Sequence, residues 1–274
     1  MQLRFSLQAF CFTNSMQTKI NMKEAKVAEK EVVISIKGLK KAFGAKEVLK
    51  NISLNLTRSE NVVVLGRSGT GKSVTIQCIV GLLKPDAGTL KVFGEEVSEL
   101  SESELKKLRM KIGFLFQSGA LYDSMTVREN LEFPLTRVLK LKDRAEIDRR
   151  VEETLKDVGL LEAIDKMPSD LSGGMRKRAG LARTIIVNPE IMLYDEPTTG
   201  LDPITSREIS ELILTIQKKN KTSSIIITHD MECARIASDR VLVMNDGEYI
   251  AEGTFTELHQ SKNNIVASFF NDIL

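Results

Sequence analysis

The chain has 274 residues, 42% of them hydrophobic, which is enough to bury the core of one sizeable domain. Its 39 Lys and Arg nearly balance its 37 Asp and Glu, so the net charge of +2 gives no electrostatic reason to expect binding of nucleic acid or an anionic membrane surface. The cysteines, Cys11, Cys78 and Cys233, are too far apart for a metal site and favour a reducing compartment. No apolar run reaches the roughly 20 residues that cross a bilayer, so any membrane role is expected to be peripheral.

Residues 1–30 are predicted to form a flexible N-terminal extension. Met1–Ser15 is mildly apolar but has no clear small-residue cleavage site, which argues against a signal peptide. The rest of the extension is polar and rich in charge, a composition that does not favour a packed core. The alternative is that Met1 lies upstream of the true first residue, which would then be Met16 or Met22.

The folded part is predicted to open with strands. Apolar and β-branched residues dominate Glu31–Ile36, and Leu49–Leu56 alternates apolar and polar side chains. A further strand is expected over Thr89–Phe93. The short apolar run Asn61–Leu65 predicts a buried strand that leads directly into a glycine-rich loop.

This loop has the spacing G-x-x-x-x-G-K-S, which is typical of a phosphate-binding loop. A helix is predicted to follow over Val74–Leu83, so backbone N–H groups and a helix N-terminus converge on one point that attracts phosphate. Lys72 is expected to contact the β- and γ-phosphates, and the Ser73 hydroxyl to bind Mg²⁺. The predicted nucleotide contacts are Gly66, Arg67, Ser68, Gly69, Thr70, Gly71, Lys72, Ser73 and Val74.

A charged helical region is predicted over residues 98–170. Ser101–Met110 has the composition of a helix, and four later apolar residues recur at helical spacing with charges between them: Ile147, Val151, Leu155 and Val158. We therefore expect an α-helical subdomain inserted in the fold.

Apolar strands return at Ile191–Tyr194, Ser224–Thr228 and Val241–Met244, with an amphipathic helix between the first two. This alternation implies a parallel sheet with helices on both faces. The expected class is an α/β phosphate-loop NTPase with a RecA-like parallel sheet core, a small antiparallel β part and the helical insertion. The main domain is predicted to cover residues 31–258, followed by a C-terminal helix over 259–274.

Two adjacent carboxylates, Asp195 and Glu196, follow the strand over Ile191–Tyr194. Ligands bind at the carboxyl ends of strands in open α/β sheets, and strand alternation lets neighbouring side chains take different roles. Asp195 suits Mg²⁺, and Glu196 suits polarising the attacking water as general base. Such a pair alone is more often a solvated strand end, but together with the phosphate loop it indicates an NTPase site.

A second anion-binding helix N-terminus is predicted at Ser172, Gly173 and Gly174. One nucleotide does not need two such sites in the same protomer. The order of phosphate loop, Leu-Ser-Gly-Gly and Asp-Glu resembles that of the ATP-binding-cassette (ABC) ATPases, over about residues 32–254. In that family the Leu-Ser-Gly-Gly segment is called the signature. The resemblance implies that the signature of one protomer covers ATP held by the phosphate loop of the other, so that a homodimer forms the active site.

The resemblance assigns roles to four more residues. Phe43 matches the aromatic residue that stacks on adenine, with a core Phe in a turn as the alternative. Gln117 matches the glutamine that senses Mg²⁺ and the attacking water. Asp202 matches the loop that crosses the dimer interface, and His229 matches the switch histidine that contacts the γ-phosphate. The implied cofactors are ATP and Mg²⁺.

Residues 116–130 and 172–185 are also similar to the MlaF-like ATPases of MCE-type phospholipid transport systems. Met175 stands where most cassette ATPases have Gln, and this departure fits that branch. The resemblance implies a membrane permease and an MCE substrate-binding protein as partners, no nucleic acid, and a position on the cytoplasmic face of the inner membrane. An amino-acid importer, a lipoprotein-extraction system and a cell-division regulator are the alternatives.

Two segments have more than one interpretation. Ser118–Pro134 is predicted to form a groove for a short permease helix, although its apolar residues could equally be subdomain core. Those residues are Leu121, Tyr122, Met125, Val127 and Phe133. The tail over 259–274 is expected to pack back on the domain, with a dimer or partner contact as the alternative.

Overall fold

The structure, a computed structural model, describes residues 31–270; the predicted extension over 1–30 and residues 271–274 lie outside the described part. Its ten strands form one sheet of four strands and one of six. The strands are β1 Val32–Phe43, β2 Lys46–Thr57, β3 Asn61–Gly66, β4 Ala87–Val92, β5 Glu95–Glu96, β6 Ile112–Leu115, β7 Ile191–Asp195, β8 Ser223–Thr228, β9 Arg240–Asn245 and β10 Glu248–Gly253.

The smaller sheet is antiparallel and has the strand order β2-β1-β4-β5. In its centre Ile34 lies opposite Leu56 of β2 on one side and Val92 of β4 on the other. β1 and β2 are longer than predicted because the pairing continues through polar residues, several of which face solvent.

The larger sheet has the order β10-β9-β3-β8-β7-β6, with β10 antiparallel to β9 and the other neighbours parallel. Every residue of β3 and β8 is buried. Val63 and Leu65 pack into one apolar core and Val62 and Val64 into another, so the sheet is covered on both faces. The predicted α/β class with a parallel sheet is confirmed.

The helices are α1 Lys72–Ile79, α2 Glu102–Met110, α3 Val127–Arg137, α4 Arg144–Asp157, α5 Gly173–Ile185, α6 Pro203–Asn220, α7 Met231–Ala237, α8 Phe255–His259 and α9 Asn264–Phe270. α1 begins two residues earlier than predicted and ends at Ile79, shortly before Gly81, whose φ of +67° is left-handed. The apolar residues predicted to share one face of α4 are all buried, as expected. No helix within residues 31–270 is long and apolar enough to span a membrane.

The segment over 98–170 is less helical than predicted. Ile112–Leu115 forms β6, the edge strand of the larger sheet, because it pairs with β7. α2 buries Leu105 and Leu108 in the core that it shares with the antiparallel sheet. The helical insertion itself therefore consists of α3, α4 and short turns up to Asp170. A four-residue apolar run is too short to be assigned as strand or helix from its periodicity.

The C-terminal region contains two short helices where one was predicted, and the expected boundary between residues 258 and 259 falls inside α8. Val266 and Phe270 of α9 are buried in the same core as α3 to α6. The Phe270 ring also contacts that of Phe255, with centroids 5.3 Å apart. The described part of the tail therefore packs on the domain.

Asn130 of α3 is fully buried and fixes the chain before that helix. Its Oδ1 accepts a hydrogen bond from the Tyr122 N–H at 2.8 Å, and its Nδ2 donates to the backbone oxygens of Tyr122, Met125 and Thr126 at 3.0–3.1 Å. One side chain thus satisfies four backbone groups of a loop.

We expect Asn130→Ala to lower the free energy of unfolding by about 2–4 kcal/mol, since backbone groups lose their partner away from water. Chemical denaturation measures this change. The matched control is Asn220→Ala, at an exposed asparagine that ends α6, which should cost less than about 0.5 kcal/mol. Equal effects of the two substitutions would contradict the assignment.

Candidate active site

The phosphate loop connects β3 to α1, and two of its glycines have no room for a side chain. A Cβ at Gly66 would lie 2.7 Å from the Met244 backbone oxygen, and one at Gly71 would lie 2.8 Å from that of Val48. Gly71 also has a φ of +106°, which L-residues rarely adopt. The loop is therefore held closely against the neighbouring strands, in a conformation that only glycine permits.

The Lys72 ammonium is buried inside this loop. Its Nζ donates hydrogen bonds to the backbone oxygens of Gly66 at 2.7 Å and Arg67 at 3.0 Å. Nζ also lies 3.3 Å from Oε1 of Glu196, and the Lys72 side chain is only 5% exposed. The positive charge is thus fixed where the loop and the end of β7 meet.

Ser73 and Asp195 form the predicted metal-binding pair. The Ser73 Oγ donates to Oδ1 of Asp195 at 2.8 Å. Burial raises the pKa of the Asp195 carboxyl, and the Ser73 hydroxyl opposes that shift. A hydroxyl and a carboxylate side by side are the hard oxygen ligands that Mg²⁺ prefers, so the donor set fits this ion.

Glu196 adopts a backbone conformation that is uncommon outside glycine, with a φ of +49°. Its N–H donates to the Ile227 oxygen of neighbouring β8 at 2.9 Å, which holds the turn. Its Oε2 lies 2.8 Å from Nδ1 of His229 and accepts from the hydroxyl of Thr199 at 3.2 Å. The carboxylate is therefore fixed by groups that follow two adjacent parallel strands.

A cavity of about 400 Å³ lies over these groups. The sequence-predicted residues that line it are Ser68, Gly69, Gly71, Lys72, Ser73, Val74, Gln117, Glu196 and His229. Three residues that sequence reasoning missed also line it: Lys46, Val48 and Thr199. Thr199 could have been suspected, because a hydroxyl three residues after Glu196 can reach its carboxylate, but no local signal identifies Lys46 or Val48.

The other predicted contacts lie around this cavity. Gly66 and Arg67 contribute backbone oxygens to Lys72, and the Thr70 hydroxyl donates to the Arg67 oxygen at 2.9 Å within the loop. Phe43 ends β1 and is 47% exposed. It pairs across the hairpin with Lys46, which lines the cavity, so an exposed aromatic ring lies at this end of the hairpin. The alternative of a core Phe is wrong.

The signature and Asp202 lie together but apart from the cavity. The Ser172 hydroxyl caps α5 by accepting from the Met175 N–H at 3.3 Å, and Asp202 caps α6. A Cβ at Gly174 would lie 2.6 Å from the side chain of Thr205, so the two helix starts touch. Ser172, Gly173 and Asp202 are exposed, and none of them lines the cavity over the phosphate loop.

The phosphate loop, the acidic strand end and the second helix N-terminus define an ABC ATPase. A family model described as ABC transporter matches residues 49–199, which is more than half of the chain. The chain therefore belongs to the ABC transporter family and is an ATP-binding subunit of a transporter. It is an ATPase that uses ATP and Mg²⁺.

Three relatives illustrate the range of similar proteins. The probable ribonucleotide transport ATP-binding protein mkl of Mycobacterium leprae is 39% identical over 240 residues, which cover 88% of this chain and 69% of that protein. The chloroplastic protein TRIGALACTOSYLDIACYLGLYCEROL 3 of Arabidopsis thaliana is 39% identical over 258 residues, 88% and 74% of the two chains. The methionine import ATP-binding protein MetN of Rhizobium etli is 38% identical over 242 residues, 88% and 66%.

Solved structures support the same fold. The cassette MJ0796, in a dimeric post-hydrolysis state bound to ADP and Pi, matches with a TM-score of 0.73 and 33% identity, over 81% of this chain and 98% of that chain. The cbiO1 protein of Clostridium perfringens, part of the ABC transporter complex cbiONQ, matches with a TM-score of 0.78 and 31% identity, over 86% and 94%. The predicted ABC ATPase fold is therefore confirmed.

We expect Lys72→Ala to weaken ATP binding about 10- to 100-fold, because a buried charged donor to phosphate contributes roughly 1.5–3 kcal/mol. Isothermal titration calorimetry measures the affinity. The matched control is Lys84→Ala, at an exposed lysine outside the cavity, which should bind ATP normally. Equal affinity of the Lys72 variant and this control would refute the role.

Proposed function

We propose that this ATP-binding subunit acts as a homodimer on the cytoplasmic face of the inner membrane, beneath an integral permease. Its proposed task is to move phospholipid between bacterial membranes together with an MCE substrate-binding protein. The observation that carries the ATPase chemistry is the position of the Glu196 carboxylate between Lys72 and His229, beside the phosphate loop.

Different residues of the site have different proposed roles in ATP hydrolysis. Lys72, the loop N–H groups and the α1 N-terminus would bind the phosphate charge, while Ser73, Asp195 and Gln117 would hold Mg²⁺, which would supply positive charge to the phosphates. Glu196 accepts the proton of the attacking water, and such general-base action contributes on the order of 10²–10⁴ in rate. The second ring nitrogen of His229 would contact the γ-phosphate.

The homodimer is supported by the position of the signature. Ser172 and Gly174 start a helix whose N–H groups attract anions, yet neither residue lines the cavity over the phosphate loop of its own protomer. One similar cassette, MJ0796, is described as dimeric in two solved structures. A second copy would place its signature over the phosphate loop.

We expect Glu196→Gln to keep ATP binding close to normal and to lower kcat by about 10² or more, because the amide keeps the shape but accepts no proton. Phosphate release measures kcat. Glu248→Gln, at an exposed carboxylate of β10, serves as the control and should hydrolyse ATP normally. A Glu196 variant with the parent rate would refute its role as general base.

The permease contact is proposed for the surface around Tyr122. Of the predicted groove residues, Val127 is fully buried and belongs to the core, whereas Tyr122 is 42% exposed. The Tyr122 ring packs edge-on against Phe133, 5.0 Å away, and lies under the Arg183 guanidinium. Phe116 and Val138 add further exposed apolar surface beside a cavity of about 230 Å³. Such anchors suit an amphipathic helix laid in a groove.

We expect Tyr122→Glu to abolish permease-dependent transport while basal ATP hydrolysis continues, because a charge at the groove disfavours docking of an apolar helix face. Transport and phosphate release are measured on the same reconstituted complex. Leu82→Glu, at another exposed apolar residue outside that cavity, should preserve both. Normal transport by the Tyr122 variant would count against the docking surface.

The substrate is proposed from two observations. Met175 stands where most cassette ATPases have Gln, and its side chain packs against the main apolar core. One similar protein, from Arabidopsis, has a name that is also that of a glycolipid. The competing candidate is amino-acid import, which is favoured by the 38% identity to a methionine import protein.

Affinity purification of this chain from detergent-solubilised native membranes tests the proposal, with proteins and lipids identified by mass spectrometry. A permease, an MCE protein and bound phospholipid are the expected companions. A permease with a different companion, such as an amino-acid-binding protein, would contradict the substrate. The absence of any membrane partner would contradict the transport function.

A further inference from the structure

One face of α5 holds the segment Gln117–Ala120. Lys177, Gly180 and Arg183 recur at intervals of three along α5 and so lie on the same side of the helix. Lys177 donates to the backbone oxygen of the first residue of the segment, and Arg183 donates to that of the last. Between them the two backbones touch, since a Cβ at Gly180 would lie 2.6 Å from the Gly119 oxygen.

The Lys177 ammonium also reaches the strand end that carries the proposed general base. Its Nζ donates to the Glu196 backbone oxygen at 3.4 Å. One buried cation therefore joins α5, the Gln117 segment and the end of β7.

The Lys177 ammonium is buried, although the burial of a charge is unfavourable. Lys177 is only 7% exposed, and burial lowers its pKa below the ordinary lysine value, while the carboxylates of Glu196 and Asp195 oppose that shift. A neutral amide could cap two backbone oxygens at a lower desolvation cost. The charge instead lies where Asp195 and Glu196 bring two carboxylates together, so it contributes to the electrostatics of the site as well as to its geometry.

The same helix begins at the signature. Ser172 caps its N-terminus, and Lys177 follows within the first two turns. A helix is rigid over this distance, because its backbone hydrogen bonds join successive turns. A displacement of the exposed N-terminus is therefore carried to the face that holds Gln117–Ala120.

We propose that Lys177 is a positioning residue that transmits contact at the α5 N-terminus to Gln117 and Glu196 of its own protomer. The proposal rests on the proposed homodimer, in which the second copy brings its nucleotide to that N-terminus. When α5 moves, the ammonium moves both backbone oxygens with it. The water-orienting groups of one site then respond to the nucleotide bound at the other.

Steady-state hydrolysis by the full chain tests this role through Lys177→Met, which keeps an unbranched side chain, one atom shorter, and removes its charge and donors. We expect kcat to fall about tenfold or more and the Hill coefficient for ATP to fall toward 1, with ATP affinity changed by less than about twofold. A purely structural role would not separate these quantities. Lys177→Arg, which keeps a cation, should recover part of kcat.

Lys218→Met is the matched control, since this lysine is exposed near the end of α6. It should leave kcat and the Hill coefficient unchanged.

Gly180→Ala tests the same contact with the ammonium intact. Alanine favours the helix by about 1 kcal/mol, so α5 itself is not weakened, but the added Cβ must push the Gly119 backbone away. We expect lower kcat and cooperativity with ATP affinity close to normal. This variant decides the question if Lys177→Met does not fold.

Normal kcat and cooperativity in Gly180→Ala and in folded Lys177→Met would overturn the proposal while the homodimer stands. A wild-type chain with a Hill coefficient of 1 and no ATP-dependent dimer would contradict the proposed homodimer. The proposed role of Lys177 in transmission, which rests on that homodimer, would then be contradicted too.

Discussion

The contact between the Lys72 ammonium and the Glu196 carboxylate, 3.3 Å apart, joins the two halves of the nucleotide site. Lys72 belongs to a loop whose glycines let it approach neighbouring backbone, and Glu196 ends the strand β7. Since β8 lies between β3 and β7, the contact requires the parallel order of the sheet. The geometry of this contact also depends on the burial of the larger sheet, because Lys72 and Glu196 follow strands that are buried. Burial strengthens the interaction of these charges relative to water.

The site is nevertheless divided. One protomer supplies the phosphate loop, the proposed metal ligands and the proposed general base in or beside one cavity, whereas Ser172, Gly173 and Asp202 are exposed to solvent outside it. α5 links these two surfaces, because it begins at the signature and holds Gln117 along its side. A helix with a functional group at its end and another along its face is a simple means of coupling two sites. Gly180 lies on that side of α5, where a Cβ would come within 2.6 Å of the Gly119 oxygen.

Much of the site could be predicted because its motifs are contiguous. The phosphate loop and the Asp195-Glu196 pair each combine an apolar strand with the polar residues that follow it, and local geometry fixes both. The roles of Lys177, Val48 and Thr199 depend on which elements become neighbours in space, and spacing along the chain does not determine that. β6 was missed for a related reason: its four residues become a strand only because β7 offers an edge.

The central claim, that two copies complete each site, is tested most directly by mixing two inactive variants. Lys72→Ala disables the phosphate loop, and Ser172→Arg disables the signature. A mixed dimer combines both defects in one site and leaves the other site intact. Random mixing should therefore restore about a quarter of wild-type hydrolysis if a single intact site suffices. A mixture no more active than the two variants measured separately would contradict the account.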